Sequence, residues 1–186
     1  MLGDHGIVRL FYDNSHVVAP GKMWRSFQPS PHHLQRWRDK GVKTIVNLRG
    51  DAPSAYFLLE EEACAKLGLA FKVFRVLSRE APGKDVLNGA RKLFREIEYP
   101  AVMHCKSGAD RVGLMSTLYL FYEEGWPLDK AMTHLSLRYG HVRQGKTGAI
   151  DHALEQYIVY ARREGIDLAS PDAFLKWVDE VYDHVA

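Results

Sequence analysis

The sequence predicts an α/β fold: a mostly parallel central sheet of about four to five strands, helices on both faces, and a purely helical C-terminal part. Three observations carry this expectation. Short apolar runs rich in β-branched residues alternate with longer segments of helical periodicity. Start and stop residues stand beside those helical segments, such as Ser30-Pro31 before one and Gly68 after another. After Gly125 the chain contains helical patterns only. Strands separated by helices call for parallel pairing, because each crossover helix must pack on a face of the sheet.

The elements follow in order. Val17 to Arg25 reads as an early strand region interrupted by Pro20-Gly21. A helix starts behind Ser30, carries Leu34 and Trp37 on one face, and ends at Gly41. Val42 to Leu48 is a strand, and Arg49-Gly50-Asp51 leaves it. Ala55 to Leu67 is helical; Leu69 to Leu77 alternates and is the next strand; Asp85 to Glu98 is an amphipathic helix with Leu87, Ala90, Leu93, Phe94 and Ile97 on its stripe. Ala101-Val102-Met103 is a short apolar strand, followed by a helical pattern from Val112 to Glu124. Helices are then expected over Pro127 to Tyr139, Ile150 to Glu164, and Pro171 to His184 behind a Ser170 cap. The last of these, with Phe174, Trp177, Val178 and Tyr182 on one stripe, is expected to dock on the domain. The whole chain, 1–186, is read as one domain.

Between that short strand and its helix stands the most informative segment, residues 104–111, His-Cys-Lys-Ser-Gly-Ala-Asp-Arg. A tight strand-to-helix loop turns successive N–H groups inward, and the helix N-terminus adds positive potential, which makes a pocket for a tetrahedral dianion. The thiolate is the nucleophilic form of cysteine, and inward N–H groups favour it at Cys105. Gly108 permits the turn and a close approach of backbone to phosphate oxygens. Arg111 offers a planar fork to two of those oxygens. His104 is expected to brace the loop by hydrogen bonding and to tune the thiolate. Lys106, Ser107, Gly108 and Ala109 form the cradle, with Lys106 raising its positive potential.

His-Cys-x-x-Gly-x-x-Arg resembles the phosphate-binding loop of the cysteine-based protein tyrosine phosphatases, and the short chain resembles their compact dual-specificity branch and its bacterial relatives. The resemblance implies a tyrosine-phosphatase-like sheet and a phosphomonoesterase in which Cys105 forms a phosphocysteine and Arg111 binds phosphate. It also implies phosphorylated protein as substrate, with phosphate or sulfate as an ion the loop can hold. Two departures stand out. Most members carry Ser or Thr after the arginine, where its hydroxyl donates to the thiolate and helps the phosphoenzyme break down; here Val112 stands there, and Ser107, Ser116 and Thr117 are the hydroxyls that can replace it. The second is Asp110, a carboxylate beside a dianion, repulsive if ionised and useful if protonated. It resembles the general acid of the myotubularin lipid phosphatases; alternatively it points away and pairs with Lys or Arg outside the loop.

Phosphoester cleavage needs a proton for the leaving oxygen. In the family it usually comes from the loop after the preceding strand, here residues 78–85, which lacks the usual early aspartate. Glu80 and Asp85 are the candidates there, with Asp85 also suited to cap the following helix; Asp110 is the leading candidate. The glycine-punctuated segment 140–148 resembles the loop where many members orient the hydrolytic water. Gln144 is the candidate for that role, with Arg143 and Lys146 as substrate-anion contacts, and a solvated turn is the plain alternative. Arg49 and Asp51 leave a strand at the same sheet end and either line the rim or pair with each other.

Composition narrows the function classes. A net charge of +2 does not point to nucleic acid. No apolar run approaches membrane-spanning length, and the first residues carry no signal-peptide pattern. Two cysteines, Cys64 and Cys105, make no disulfide framework, and a thiolate enzyme needs a reducing compartment, so the cytoplasm is expected. Cys64 is expected half-buried. The histidines lack metal-site spacing, and the mechanism is expected to need neither metal nor cofactor. Two further readings stay open: a phosphoinositide or inositol-phosphate phosphatase, supported by Lys106 and Asp110, and a phosphate-binding module without turnover.

Overall fold

Gly21 takes a φ of 71° between two apolar runs, and there the chain doubles back. In the computed structural model, which describes residues 14–183, the two runs are β1 (His16–Ala19) and β2 (Met23–Ser26), an antiparallel pair. With β3 (Thr44–Asn47), β4 (Ala70–Val73) and β5 (Ala101–His104) they form one five-stranded sheet ordered β1-β2-β5-β3-β4. Every pairing except β1–β2 is parallel. The crossovers run through α1 (Pro31–Asp39), α2 (Ala55–Leu67), α3 (Lys84–Glu96) and α4 (Asp110–Glu123).

The period of two along the strands sorts side chains to the two faces. Ile45 and Val102 join Leu34, Trp37, Ala63 and Cys64 beneath α1 and α2. Val46, Ala101 and Met103 join the larger core built with α3, α4 and the C-terminal helices. Residues 112–122 of α4 are all buried, as expected of a helix apolar on every side. Boundaries largely match the expectations. Ser30 caps α1, and Gly68, at φ 67°, ends α2. The strand expected to Leu77 ends its ladder at Val73, because β4 is an edge strand with β3 alone beside it. Two further bonds, Phe74 N to Asn47 O at 2.9 Å and Val76 N to Leu48 O at 3.2 Å, carry the pairing on. Asp85 does not cap α3: Gly83 holds that position, and Asp85 lies in the first turn.

The largest departure is the helix expected over Pro127 to Tyr139. The chain instead makes a short α5 (Leu128–Ala131) and two 3₁₀ turns, Met132–His134 and Leu137–Tyr139. A continuous helix would give the His134 carbonyl to the N–H one turn ahead. Arg25 takes that carbonyl at 2.8 Å, and Ser136 opens to an extended φ of −149°. Helices α6 (Gly148–Glu164) and α7 (Pro171–Glu180) complete the fold. The α7 stripe docks as expected: Phe174 packs on Phe121, Tyr122, Tyr157 and Trp177, and Tyr182 donates to Pro82 O at 3.0 Å. The helix expected to run to His184 ends at Glu180, with Val181 as its cap; His184 itself and the start of the chain lie outside the described residues. Among the described residues no helix is long and apolar enough to cross a membrane.

Candidate active site

Three parallel strands end level, with Ser26, Asn47 and His104 at one register position, and the loop of residues 105–109 rises from that carboxyl edge. Ligands collect at such edges because the following helix N-termini face them. Cys105 is 1% exposed at the base, and its N–H donates to Ser26 O at 3.4 Å.

The next four carbonyls are all taken by donors from outside the loop. Gln28 N donates to Lys106 O at 3.4 Å, Asn14 Nδ2 to Ser107 O at 3.0 Å, and Arg25 Nη2 to Gly108 O at 2.8 Å and Ala109 O at 3.0 Å. In a planar trans peptide the C=O and the following N–H point opposite ways. The N–H groups of residues 107–110 therefore face the inside of the loop, and among the described residues no protein acceptor takes them. Gly108 is required twice: its φ is 75°, and a Cβ there would stand 3.0 Å from Asn14 O and Phe27 N. Arg111 is half-buried, and its Nε is buried without a protein acceptor. Inward donors, a guanidinium and a recessed thiol thus converge where an oxyanion fits.

Arg25 and its surroundings are not legible in the octet. The side chain is fully buried, stacks on Tyr139 with 4.1 Å from its guanidinium carbon to the ring centre, and donates through Nη1 to His134 O. Burial lowers its pKa to about 10, which leaves it charged at neutral pH, and Tyr139, Cys105 and Asp110 oppose the shift. The His134 ring also stacks on Tyr139, with centroids 5.1 Å apart and planes 11° from parallel. Burial and the neighbouring Arg25 lower its pKa to about 4, so it is neutral, with Nδ1 3.3 Å from Arg25 Nη1.

His104 is fully buried, and its side chain meets Glu60 of α2 rather than the loop, with Nε2 2.5 Å from Glu60 Oε1 in a contact too bent for an aligned hydrogen bond. The other Glu60 oxygen accepts from Gln28 Nε2 at 2.9 Å and Asn47 Nδ2 at 3.3 Å. Glu60 is a site residue that the sequence reading passed over. One signal was present: it stands one turn before Cys64, on the buried face of α2. Cys64 is fully buried rather than half-buried, and burial together with Glu60 pushes its thiol up to about 12.

Among the described residues, neither Lys nor Arg partners Asp110. Its Oδ1 lies 2.8 Å from His141 Nδ1, and His141 Nε2 lies 2.7 Å from Asp151 Oδ2. Hydrogen bonds to Asp110 and then to Asp151 push His141 up to about 9, so both ring nitrogens carry protons at neutral pH. From the segment 140–148 it is thus His141 that bonds to the loop. Arg143, expected on the substrate anion, pairs instead with Glu155 of α6 at 2.6 Å. Gln144 and Lys146 are exposed. Glu80 and Asp85 are exposed too, and among the described residues no hydrogen bond ties either to the loop. Val112 is fully buried in the core. Ser116 and Thr117 cannot replace its missing hydroxyl, because they donate to their own helix, at Val112 O (2.7 Å) and Gly113 O (3.0 Å). Ser107 and Lys106 are exposed on the loop itself. Arg49 donates to Gln28 Oε1 at 2.6 Å and lines a small cavity with Asn47, Gly50 and Phe57.

A family model described as DSP-PTPase phosphatase fused to NAD+ kinase matches residues 12–150. The chain belongs to that family. It is a member of the cysteine-based protein tyrosine phosphatase superfamily, as the octet led one to expect. The dual specificity protein phosphatase TpbA of Pseudomonas aeruginosa is 29% identical over 123 residues, covering 66% of this chain and 53% of that protein. The chain thus spans about half the length of the curated relatives it matches. Solved structures share the fold. TpbA superposes with a TM-score of 0.59 at 20% identity, covering 88% of this chain and 91% of its own. Tk-PTP in its active form gives 0.60 at 21%, covering 77% and 97%. PTPMT1 gives 0.57 at 14%, covering 80% and 99%.

Proposed function

We propose that this phosphatase-family domain is a cysteine-dependent phosphomonoesterase of the tyrosine or dual-specificity type. The observation that carries the reading is the loop in which four outward carbonyls turn their neighbouring N–H groups toward the recess that holds Cys105 and Arg111. Cys105 Sγ attacks phosphorus in line, an S–P bond forms, and the bond to the leaving oxygen breaks. Arg111 and the N–H groups hold the equatorial oxygens, whose charge spreads in the transition state. Water then attacks the phosphocysteine, releasing inorganic phosphate and the thiolate.

The leaving oxygen takes its proton from the pair formed by Asp110 and His141. Both nitrogens of His141 face carboxylate oxygens, so this unit keeps one proton beyond the neutral imidazole. The proton on His141 Nδ1, held against Asp110 Oδ1, is passed through the carboxyl to the leaving oxygen, and the same group takes a proton back from water in the second step. Glu80 and Asp85, exposed and unconnected to the loop, support this choice by comparison.

For substrate, phosphotyrosine in a protein suits a thiol recessed to 1% exposure, since an aryl spacer carries the phosphoryl group inward. Solved relatives include TpbA in complex with pTyr and PTPMT1 in complex with PI(5)P. An inositol phosphate is the second reading, favoured by exposed Lys106 and by Arg49 in the adjoining cavity. A thiolate nucleophile also favours a reducing compartment, the cytoplasm. The test is a panel of phosphotyrosine peptides, phosphoserine peptides and inositol phosphates, assayed with EDTA present. Turnover of the tyrosine peptides that vanishes in Cys105→Ser is expected. A requirement for added metal, or activity surviving in Cys105→Ser, would overturn the mechanism.

A further inference from the structure

Buried arginines normally meet a carboxylate, because an unpaired charge away from water is strongly disfavoured. Arg25 is fully buried, and among the described residues no carboxylate forms an ion pair with it. Its protein acceptors are the carbonyls of Gly108, Ala109 and His134 with the His134 ring nitrogen, its aromatic neighbour is Tyr139, and its Nε is buried without an acceptor. We propose that Arg25 is the positioning residue of the catalytic loop: anchored through Nη1 to His134, it fixes the Gly108 and Ala109 carbonyls outward through Nη2, and its charge stands behind the site as a counter-charge for the thiolate and the bound phosphate dianion.

Geometry supports the first half. One nitrogen, Nη2, bonds both carbonyls, at 2.8 and 3.0 Å. Their peptide planes set the N–H directions of Ala109 and Asp110, two of the donors that face the anion. A lysine ammonium, a single point charge on a flexible stem, cannot reproduce a planar guanidinium that bonds two loop carbonyls through Nη2 and the His134 carbonyl through Nη1. Chemistry supports the second half. Nη2 sits on the outer carbonyls of the two peptide units whose N–H groups face the anion, so the guanidinium charge lies directly behind the recess, and a thiolate or a bound dianion completes the compensation that carbonyl dipoles begin. Arg25 touches neither substrate nor thiol in this account; it acts through the loop.

The proposal rests on the phosphate-binding reading of the loop and goes beyond it in assigning the residue that shapes it. Inorganic phosphate binding, measured by calorimetry so that turnover is not needed, should weaken about tenfold or more in Arg25→Lys, which keeps the charge and loses the fork. Alkylation of Cys105 by iodoacetamide at pH 6 should slow several-fold in Arg25→Met, which loses both. A folded Arg25→Lys that binds phosphate like the wild type would overturn the proposal, as would unchanged alkylation in a folded Arg25→Met. Should either variant fail to fold, the wild type decides: the Arg25 side-chain N–H signals in NMR should shift on phosphate addition, and no shift would overturn it. Arg25-dependent phosphate binding without hydrolysis of any substrate in the panel would sink the phosphatase reading and leave this one standing. Turnover with Arg25-independent phosphate binding would do the reverse.

Discussion

The loop of residues 105–109 is held from two sides, and the two sides use different physics. From the first hairpin and the turns flanking it, Asn14, Arg25 and Gln28 donate to loop carbonyls. Those acceptors do not titrate, and Arg25, at about 10, stays charged through the physiological range. From the segment before α6, His141 holds Asp110 with Asp151 behind it, and that link exists in full only while the imidazole carries its second proton. One side sets the shape of the loop whatever the pH; the other sets its charge and depends on pH.

The largest effect should come from breaking the shape. Gly108→Ala forces a side chain into a left-handed φ and against Asn14 O and Phe27 N. The backbone strain is worth about 1–3 kcal/mol, and a displaced loop should lower kcat/KM roughly 100-fold. Steady-state assays with denaturation curves check both, and a variant of near-normal activity would remove the steric account of this glycine.

Next comes the charge side. His141→Gln leaves Asp151, itself buried, without its cation, at a cost of about 3 kcal/mol near pH 6. The sign follows from the raised value: the folded pKa of about 9 exceeds the unfolded 6.5, so the stabilisation is complete below pH 6.5 and disappears as pH climbs through 9. Thermal midpoints of wild type and variant should converge over that window; a constant gap would mean that packing, not the proton, holds the pair. His134 has the opposite sign. Its folded value of about 4 lies below 6.5, so its contribution is present above pH 6.5 and is lost as pH falls toward 4. His134→Gln should flatten the acid limb of the stability curve and leave the alkaline limb alone.

Proton delivery gives a more selective effect. Asp110→Asn should slow poor leaving groups strongly and an activated aryl phosphate much less, while Glu80→Gln changes neither. The reverse pattern would move the acid to the loop of residues 78–85. The smallest effect is expected from Val112→Thr. Its hydroxyl should speed phosphocysteine breakdown and shrink any burst in rapid-quench traces, against a burial cost of about 1–2 kcal/mol. A burst of unchanged size would mean that the residue after the arginine does not govern the second step here.

Much of the scaffold was legible because local signals decided it. Ser30-Pro31 and Gly68 bounded helices where capping chemistry says they should. Pro127 to Tyr139 misled for a tertiary reason: Arg25, over 100 residues away, claims the His134 carbonyl that a continuous helix needs. Arg25 itself left a faint trace, a charge sharing one strand face with buried Met23. Asp110 was legible as chemistry, but its partner was not, since His141 lies 31 positions on and no periodicity connects them. Arg143 and Gln144 shared that loop and that resemblance, yet the loop turns Arg143 toward Glu155.

The sequence by itself determined the octet, and with it the thiol, the guanidinium, the glycine at a left-handed turn and the strand-loop-helix that presents them. It also determined the alternation of strands and helices, because hydrophobic period and caps act over a few residues. Only the tertiary structure decided what lies behind the octet: which donors take its carbonyls, which histidine meets Asp110, and that His104 leans on Glu60. Those contacts join residues dozens of positions apart. Their energies depend on burial and on hydrogen-bond geometry, neither of which exists until the sheet has brought the strand ends level.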